Sequence, residues 1–250
     1  MSPDCENIKP YKGDNSAKKV QVEKMFDNIA PAYDLMNRAM TLGIDKLWRR
    51  KAVKMIHSHG ATKILDVATG TGDLAMLLAQ RLDPISVIGI DLSARMIEIG
   101  RRKVAAAGLG DVVKLTVGDC LDLAYPDETF DCVTVAYGVR NFEDLARGYS
   151  EMFRVLQPGG MMCVIELSTP TMPVIRPLYN IYSTKIIPAV GRVVSRDTDA
   201  YTYLPRSIAA VPQGEKMLEM LTGAGFVNAR FKTLTLGVCT IYTAFKPQQQ

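Results

Sequence analysis

Short apolar segments alternate with amphipathic helical segments between residues 63 and 167, and this alternation constrains the fold more than any other feature. The helical segments carry apolar residues at helical spacing, as Leu74, Leu78 and Leu82 do in the first of them. Apolar strands separated by amphipathic helices are typical of a parallel sheet covered by helices on both faces. The expected strands of this region are residues 63–69, 86–91, 112–117, 130–137 and 161–167.

The last part of the chain adds two strands of a different kind. Residues 229–234 and 237–245 each predict a strand, and only a couple of residues join them. So short a connection favours antiparallel pairing, because parallel neighbours need a crossover of about a dozen residues or more. We therefore expect a doubly wound α/β fold with a seven-stranded, mostly parallel sheet that ends in an antiparallel hairpin.

A single domain is expected, because 250 residues suffice for one sizeable core and are too few for two full domains. Residues 1–17 are polar and aperiodic, which predicts a flexible arm. The rest, residues 18–250, predicts one domain with two helical additions. Residues 18–60 are expected to form a helical cap, and residues 169–212, which interrupt the alternation, a helical lid.

Charge and cysteine content argue against several classes of protein. The net charge is +4 and the basic residues are scattered, whereas nucleic-acid binding usually requires clustered Lys and Arg. The five cysteines lack metal-site spacing, which predicts reduced, buried thiols and no metal. Since no apolar run approaches the ~20 residues that span a bilayer, we expect a cytoplasmic protein. Peripheral contact with the inner membrane surface and a homodimer are both compatible with the sequence.

A glycine turn after the first strand predicts a ligand site. Residues 66–73 read DVATGTGD, so Gly70, Thr71 and Gly72 lie between a strand and a helix. In open α/β sheets, ligands bind beyond the carboxyl ends of the strands, and glycine lets the backbone approach them closely. Glycine spacing alone does not exclude a dinucleotide, because Ala75 satisfies the looser form of the GxGxxG pattern.

Acidic residues at successive strand ends identify the expected ligand. Asp66 and Asp73 bracket the glycine turn, and Asp91 ends the second strand. Asp119 and Cys120 follow the third strand. Carboxylates here would repel a pyrophosphate, but they suit the positive charge of S-adenosylmethionine. That cofactor is therefore predicted, with Asp91 accepting hydrogen bonds from the ribose hydroxyls and Asp119 from the adenine amino group.

The segment after the fourth strand is expected to face the methyl donor. It runs from Ala136 through Tyr137 to Arg140 and Asn141. Arg140 is equally compatible with a surface loop and with a functional role, because polar loop residues at the edge of a sheet serve both purposes.

Longer motifs connect the chain to a known family. Residues 26–37 (FDNIAPAYDLMN) and 138–141 (GVRN) are the most specific, and residues 154–160 (RVLQPGG) and 199–204 (DAYTYL) also match. With these motifs the chain resembles the menaquinone/ubiquinone biosynthesis C-methyltransferases over about residues 22–247. Generic methyltransferases share the glycine turn but lack the first two motifs.

The resemblance implies a class I S-adenosylmethionine methyltransferase that methylates the ring of a polyprenylated quinol. The expected acceptor is demethylmenaquinol, a naphthoquinol, and a benzoquinol of the ubiquinone pathway is the alternative. The resemblance also implies ribose contact for Asp91, adenine contact for Asp119 and Cys120, and contact with the donor for Thr71.

The chain departs from the family pattern at several positions. Thr41 and Asp45 stand where the family usually has Ser and His, and Gln157 replaces a Lys. Tyr242 stands where the last strand often carries a His. A mechanism built on either histidine is therefore not expected for this protein.

Methylation of a quinol ring carbon requires a hydroxyl group to lose its proton and the resulting oxyanion to be stabilised. Arg140 is the candidate for the second task, because its planar donors suit an oxyanion. Candidate proton acceptors are Tyr33, Asp34 and a water held by Asp119 or Tyr137.

Residues 171–195 combine apolar, aromatic and basic side chains. With the helical region 18–41 they are expected either to cover the ring and guide the isoprenoid tail or to act as ordinary core helices. Other interpretations of the chain stay open: a methyltransferase for a sterol or phospholipid amine, a binding protein without activity, and a nicotinamide dehydrogenase.

Overall fold

The computed structural model describes residues 3–11, 13–186 and 198–248. Its centre is one sheet of seven strands in the order β3-β2-β1-β4-β5-β7-β6. The strands are β1 Lys63–Val67, β2 Ser86–Asp91, β3 Val113–Val117, β4 Phe130–Ala136, β5 Leu156–Leu167, β6 Val227–Leu234 and β7 Cys239–Phe245.

Strand pairing confirms the mostly parallel sheet with its terminal hairpin. β1 pairs in parallel with β2 and β4, and the outer pairs β2–β3 and β4–β5 are parallel as well. β7 runs antiparallel to both β5 and β6, with Val164 opposite Tyr242. β5 begins at Leu156, earlier than expected, because Leu156 pairs with Phe130 ahead of a register shift.

Helices pack around this sheet. Among them, α5 begins at the expected N-cap, where the Ser93 hydroxyl accepts a hydrogen bond from the Met96 amide at 3.1 Å. In chain order the described α-helices are α1 Lys18–Ile29, α2 Tyr33–Thr41, α3 Asp45–His57, α4 Asp73–Leu82, α5 Ala94–Ala106, α6 Leu145–Val155, α7 Ile175–Ile181, α8 Thr198–Ala210 and α9 Glu215–Gly223.

The inner strands β1, β4, β5 and β7 are buried on both faces, which explains why they are largely apolar, whereas the edge strand β6 is mostly exposed. Neighbouring residues of β1 point to opposite faces: Ile64 packs with Leu78 of α4, and Leu65 packs with Met152 of α6 and Leu221 of α9. Full burial of one such side chain stabilises the folded state by roughly 1.5–3 kcal/mol. All five cysteines are buried with free thiols, as expected.

Part of the segment expected to form an arm, Asp4–Asn7, is a short 3-10 helix that contacts the rest of the domain. Cys5 is completely buried, and the carboxylate of Glu6 accepts a hydrogen bond from the Leu145 amide at 2.8 Å. The buried ammonium group of Lys18 donates to the Cys5 carbonyl at 2.7 Å. An ammonium group inside a protein requires such acceptors, and the segment supplies one of them.

The described part of residues 169–212, the segment expected to form a lid, is partly helical. It contains α7, a π-helical turn at Tyr182–Ile186, and α8. The Tyr182 hydroxyl donates to the carbonyl of Met40 at the end of α2, so the lid contacts the helical cap. Residues 187–197, including Arg192, lie outside the described residues. None of the described helices has the length and apolar character needed to cross a membrane.

The order of the strands determines where a ligand binds. The chain winds outward in one direction through β2 and β3 and in the other through β4 and β5, so the direction reverses between β1 and β4. In open α/β sheets the crevice beyond the carboxyl ends of the strands at this reversal is the usual binding site. The glycine turn follows β1 at this position.

Candidate active site

The glycine turn has the backbone shape that the sequence predicts. Gly70 has a φ of 57°, and its amide donates to Oδ2 of Asp91 at 2.8 Å. Gly72 has a φ of 80°, and a Cβ placed there would lie 2.9 Å from Cδ1 of Leu115. Glycine meets both constraints, because it lacks the Cβ that makes such dihedrals costly. The turn is therefore fixed against the end of β2.

A cavity lies beyond the carboxyl ends of β1 to β4, and we call it the turn cavity. It holds about 720 Å³ of empty space, part of it open to solvent. That size lies in the range of roughly 300–1,000 Å³ typical of ligand pockets. Several predicted site residues line it together: Tyr33, Gly70, Asp91, Asp119, Cys120 and Ala136.

Two carboxylates give the turn cavity its chemistry. Asp91 accepts hydrogen bonds from the amides of Gly70 at 2.8 Å and Ser93 at 2.9 Å, which hold it in place. Burial raises the pKa of Asp91, and these amides partly offset that effect. Asp119 binds the ammonium group of Lys19 at 2.6 Å. The cavity thus presents acceptor groups at the ends of two neighbouring strands.

This set of acceptors fits S-adenosylmethionine. Each carboxylate oxygen has about two lone pairs, so Asp91 retains capacity for ribose hydroxyls after accepting both amides. The Asp119 carboxylate, which binds the ammonium group of Lys19, can also accept a hydrogen bond from an amino group. Carboxylates also suit the positive sulfonium, whereas they would repel the pyrophosphate of a dinucleotide.

Three predicted site residues, Thr71, Gly72 and Asp34, are absent from the described lining of this cavity. The Thr71 hydroxyl donates to Oδ1 of Asp34 at 2.6 Å, and Lys103 donates to Oδ2 of Asp34 at 2.7 Å. Asp73 forms ion pairs with Lys103 and Arg49. These groups tie α2, α4 and α5 to the glycine turn. The negative charge of Asp73, expected to face the cofactor, is therefore balanced by protein cations.

Asp66 also lies outside the described cavity lining, beneath the glycine turn. Its carboxylate accepts hydrogen bonds from the hydroxyls of Thr69 at 2.6 Å and Thr134 at 2.7 Å. Burial raises the pKa of Asp66 from its ordinary value of 3.8 to about 6, although both hydroxyls oppose the shift. Asp66 therefore connects the residue before the glycine turn, Thr69, to Thr134 of β4.

Sequence reasoning missed several residues that line the turn cavity. Lys19, Phe26 and Phe142 contribute to its wall, beside Asn141, which belongs to the segment expected to face the methyl donor. Phe26 lies in one of the motifs most specific to the resembled family, and that motif was the available signal. No signal in the sequence pointed to Lys19, because a lysine on a helix usually has its ammonium group in water.

A second cavity lies between the helical cap and the lid, and we call it the lid cavity. It holds about 970 Å³ of empty space, part of it open to solvent. Tyr33 and Tyr137 line both cavities, so the two spaces meet at these rings. Most of its remaining wall is apolar, formed by Met40, Leu42, Ile44, Trp48, Leu167, Leu204, Ile208 and Val238.

Arg140 lines the lid cavity and is 6% exposed. Its Nη1 donates to Oε1 of Glu166 at 2.8 Å and to the Tyr137 carbonyl. Two polar atoms are buried without a partner among the described residues: Nε of Arg140 and the Tyr137 hydroxyl. An unsatisfied buried group costs about 1–3 kcal/mol, so these donors are suited to a ligand in the cavity. The sequence did not predict the Glu166 partner.

The strand order, the glycine turn and the carboxylates after β2 and β3 together define a class I S-adenosylmethionine-dependent methyltransferase. A family model described as "ubiE/COQ5 methyltransferase family" matches residues 14–246, and the chain belongs to that family.

Named relatives match along almost the whole chain. The demethylmenaquinone methyltransferase of Bacteroides fragilis is 48% identical over 241 residues, which cover 96% of this chain and 98% of the relative. The ubiquinone/menaquinone biosynthesis C-methyltransferase of Geotalea daltonii is 42% identical over 230 residues, 92% of this chain and 97% of the relative.

Solved structures share the fold at low identity. The [4+2]-cyclase SpnF superposes with a TM-score of 0.67 at 18% identity, covering 92% of this chain and 96% of the cyclase. A possible histamine N-methyltransferase from Thermotoga maritima gives a TM-score of 0.62 at 18% identity, covering 89% of this chain and 99% of that one. Similarity at this level of identity establishes the fold and does not identify the acceptor substrate.

Proposed function

We propose that this protein transfers the methyl group of S-adenosylmethionine to a ring carbon of a polyprenylated quinol, with demethylmenaquinol as the acceptor in menaquinone biosynthesis. The observation that carries the proposal is the meeting of two cavities at Tyr33 and Tyr137, one lined by carboxylates and the other mostly apolar. Family membership and the names of the relatives supply the acceptor class.

The turn cavity holds the cofactor in this proposal. Asp91 receives the ribose hydroxyls, Asp119 the adenine amino group, and Gly70 and Ala136 provide backbone close to the donor. S-adenosylmethionine supplies an electrophilic methyl group on a positively charged sulfur. Holding two reactants in line is worth up to roughly 7–11 kcal/mol in favourable cases, which makes positioning the main task of the protein.

The lid cavity holds the aromatic ring of the acceptor. Its apolar wall suits a flat ring, and Trp48 packs edge-on against Tyr137 with ring centroids 6.4 Å apart. Arg140 directs its unpartnered Nε to the ionised hydroxyl of the ring and stabilises the negative charge there. The bond to Glu166 keeps the guanidinium in position.

The proposed proton acceptors differ in how well the structure supports them. Burial raises the pKa of Tyr33, so its hydroxyl remains protonated at neutral pH and is better suited to orienting the ring. Both oxygens of Asp34 already accept hydrogen bonds, from Thr71 and Lys103. We retain a water held by Tyr137 as the group that takes the proton and passes it on to bulk solvent, because the lid cavity is partly open.

The isoprenoid tail leaves the lid cavity between exposed leucines in this proposal. Leu42 lines the cavity and is 86% exposed, and Leu236 and Leu178 are 59% and 62% exposed beside the lining residues Thr235 and Tyr179. Exposed apolar side chains grouped at a cavity mouth are typical of sites that receive lipids. A cytoplasmic protein that touches the membrane surface at this mouth accounts for them.

Incubation with methyl-labelled S-adenosylmethionine tests the function. Demethylmenaquinol and its benzoquinol analogue are supplied in parallel, and the products are identified by mass. We expect a labelled methyl group on the naphthoquinol ring. The names of relatives such as the Geotalea daltonii protein include ubiquinone, which makes benzoquinol methylation the second candidate. The absence of a labelled product from both quinols would contradict the proposal.

A further inference from the structure

Asp45 places a buried carboxylate in the wall of the lid cavity. It is 2% exposed, and its Oδ1 accepts a hydrogen bond from the Thr41 hydroxyl at 2.8 Å. Its Oδ2 accepts a hydrogen bond from Arg49. A carboxylate has about four lone-pair sites, so these bonds leave acceptor capacity unused.

Arg49 holds this carboxylate in a defined position. It also binds Asp73 at 3.2 Å and lies over the ring of Tyr137, 5.9 Å from the ring centroid. The guanidinium therefore connects Asp45 to the glycine turn and to a ring that lines both cavities. A fixed, hydrogen-bonded carboxylate in an apolar cavity is suited to selecting a ligand rather than to filling space.

The polar groups of the lid cavity divide into two kinds. Among the described lining residues, Asp45 carries the single carboxylate, which accepts hydrogen bonds and donates none. Of the two unpartnered groups, Nε of Arg140 only donates, whereas the Tyr137 hydroxyl can donate or accept. Asp45 thus differs from the amide and hydroxyl groups of the lining, because it can accept a hydrogen bond from the ring but cannot donate one.

We propose that Asp45 accepts a hydrogen bond from a hydroxyl group of the acceptor ring and thereby selects the reduced, hydroquinone form. This inference rests on the proposed function and assigns the residue that recognises one side of the ring. A quinone carries only carbonyl oxygens, so it would place an acceptor against an acceptor at Asp45. Sites built around a substrate hydroxyl reject analogues that lack it, because buried polar groups are left unpaired.

The departure from the family pattern lies at this same residue. The resemblance implies a His at the position of Asp45, and the structure places Asp45 in the wall of the lid cavity.

Binding measurements on tailless rings test the inference. Trp48, the single tryptophan of the chain, lines the lid cavity, so quenching of its fluorescence reports occupancy. Under anaerobic conditions, 1,4-naphthohydroquinone is expected to bind the wild type at least about tenfold more tightly than 1,4-naphthoquinone, or about 1.4 kcal/mol. In Asp45→Asn, which offers a donor as well as an acceptor, the two affinities are expected to agree within about twofold.

A matched control comes from another buried carboxylate that is paired with an arginine. Glu151 binds Arg154 at 2.8 Å and is absent from the described linings of both cavities. Glu151→Gln is expected to keep the preference for the hydroquinone. Equal affinities in the wild type, or a preference that persists in Asp45→Asn, would overturn the inference.

A second variant covers the case in which Asp45→Asn does not fold. Asp45→His is expected to show no preference at pH 8, where neutral imidazole offers both a donor and an acceptor, and to prefer the quinone at pH 5.5, where imidazolium only donates. A preference that does not depend on pH would contradict the inference. Equal binding of both rings together with methylated product rejects Asp45 alone, whereas absence of both binding and product rejects the proposed function.

Discussion

Glu166 binds Arg140 at two points. Its Oε1 accepts a hydrogen bond from Nη1 at 2.8 Å, and its Oε2 accepts one from the Arg140 backbone amide at 3.3 Å. The side chain of Glu166 is 2% exposed and that of Arg140 is 8% exposed, so neither charge is left to water. The ion pair fixes the direction of the guanidinium, and the free Nε is the part available to a ligand.

Replacing Arg140 tests its role at the oxyanion. Arg140→Met is expected to lower kcat by about a hundredfold to a thousandfold, the usual effect of removing one such donor. Calorimetry should show the affinity for S-adenosylhomocysteine changed by less than about twofold, because Arg140 is absent from the described lining of the turn cavity.

Stability needs a separate control, because Arg140→Met leaves the Glu166 charge buried and unpaired at a cost of about 3–5 kcal/mol. The double variant Arg140→Met with Glu166→Gln removes that charge. It should recover most of the lost stability in urea and none of the lost activity. Recovery of turnover in the double variant would show that Arg140 acts through stability alone.

The ion pair between Lys19 and Asp119 leads to a second prediction, about cofactor affinity. Its 2.6 Å bond occupies the carboxylate that we assign to adenine, so Lys19 competes with the cofactor. Because the lysine side chain is 40% exposed, the pair contributes at most about 1 kcal/mol. Lys19→Met is expected to tighten S-adenosylhomocysteine binding by up to about fivefold in calorimetry. Lys63→Met serves as the control, because Lys63 begins β1 at the end of the strand away from the turn cavity. Weaker binding in Lys19→Met would refute the competition.

Buried Asp66 predicts a pH dependence of stability. Its pKa rises on folding from 3.8 to about 6, so its stabilising contribution is fully present below about pH 3.8 and is lost as the pH rises through about 6. The loss is of the order of 3 kcal/mol. The free energy of unfolding of the wild type, relative to Asp66→Asn, should fall by about this amount between pH 4 and pH 7.

The control for this prediction is Asp83→Asn, at an exposed turn with a φ of 52° that Asn also tolerates. Its difference from the wild type should not change with pH over this range. A flat difference for Asp66→Asn as well would show that Asp66 has a similar pKa in the folded and unfolded chains.

The exposed residue Leu42, which lines the lid cavity, allows the path of the isoprenoid tail to be tested. Leu42→Asp places a charge where we expect the isoprenoid chain to emerge. KM for a long-tailed quinol should rise about tenfold while KM for a tailless ring changes little, since a buried methylene contributes roughly 0.8 kcal/mol. Ile85→Asp, which is similarly exposed but precedes β2 at the far end of the sheet, is the matched control. Equal effects on both substrates would remove the tail from this opening.

Much of the fold followed from the sequence because periodicity reports burial directly. The strands of a sheet covered on both faces are apolar throughout, and the short connection before β7 required antiparallel pairing. The packing of Cys5 and the N-terminal segment did not follow, since its polar composition conceals the carbonyl that Lys18 needs.

The sequence predicted which carboxylates lie together where residue type and strand position agree. Asp91 and Asp119 line one cavity because the carboxyl ends of neighbouring parallel strands meet there. Thr71 and Asp34 turned out to bind each other, a contact between residues that lie far apart in the chain. The partnership of Glu166 with Arg140 was equally hidden, because helical or strand spacing says nothing about pairs that meet only in the folded chain.

Calorimetric titration with S-adenosylhomocysteine tests the central claim most directly. The wild type should bind with measurable heat, and Asp91→Ala should bind at least about tenfold more weakly, because it loses the acceptor of the ribose hydroxyls and an anchor of the glycine turn. NADH should give no heat. Absence of binding by the wild type, or tight binding of NADH in its place, would contradict the assignment of the turn cavity to a methyl donor.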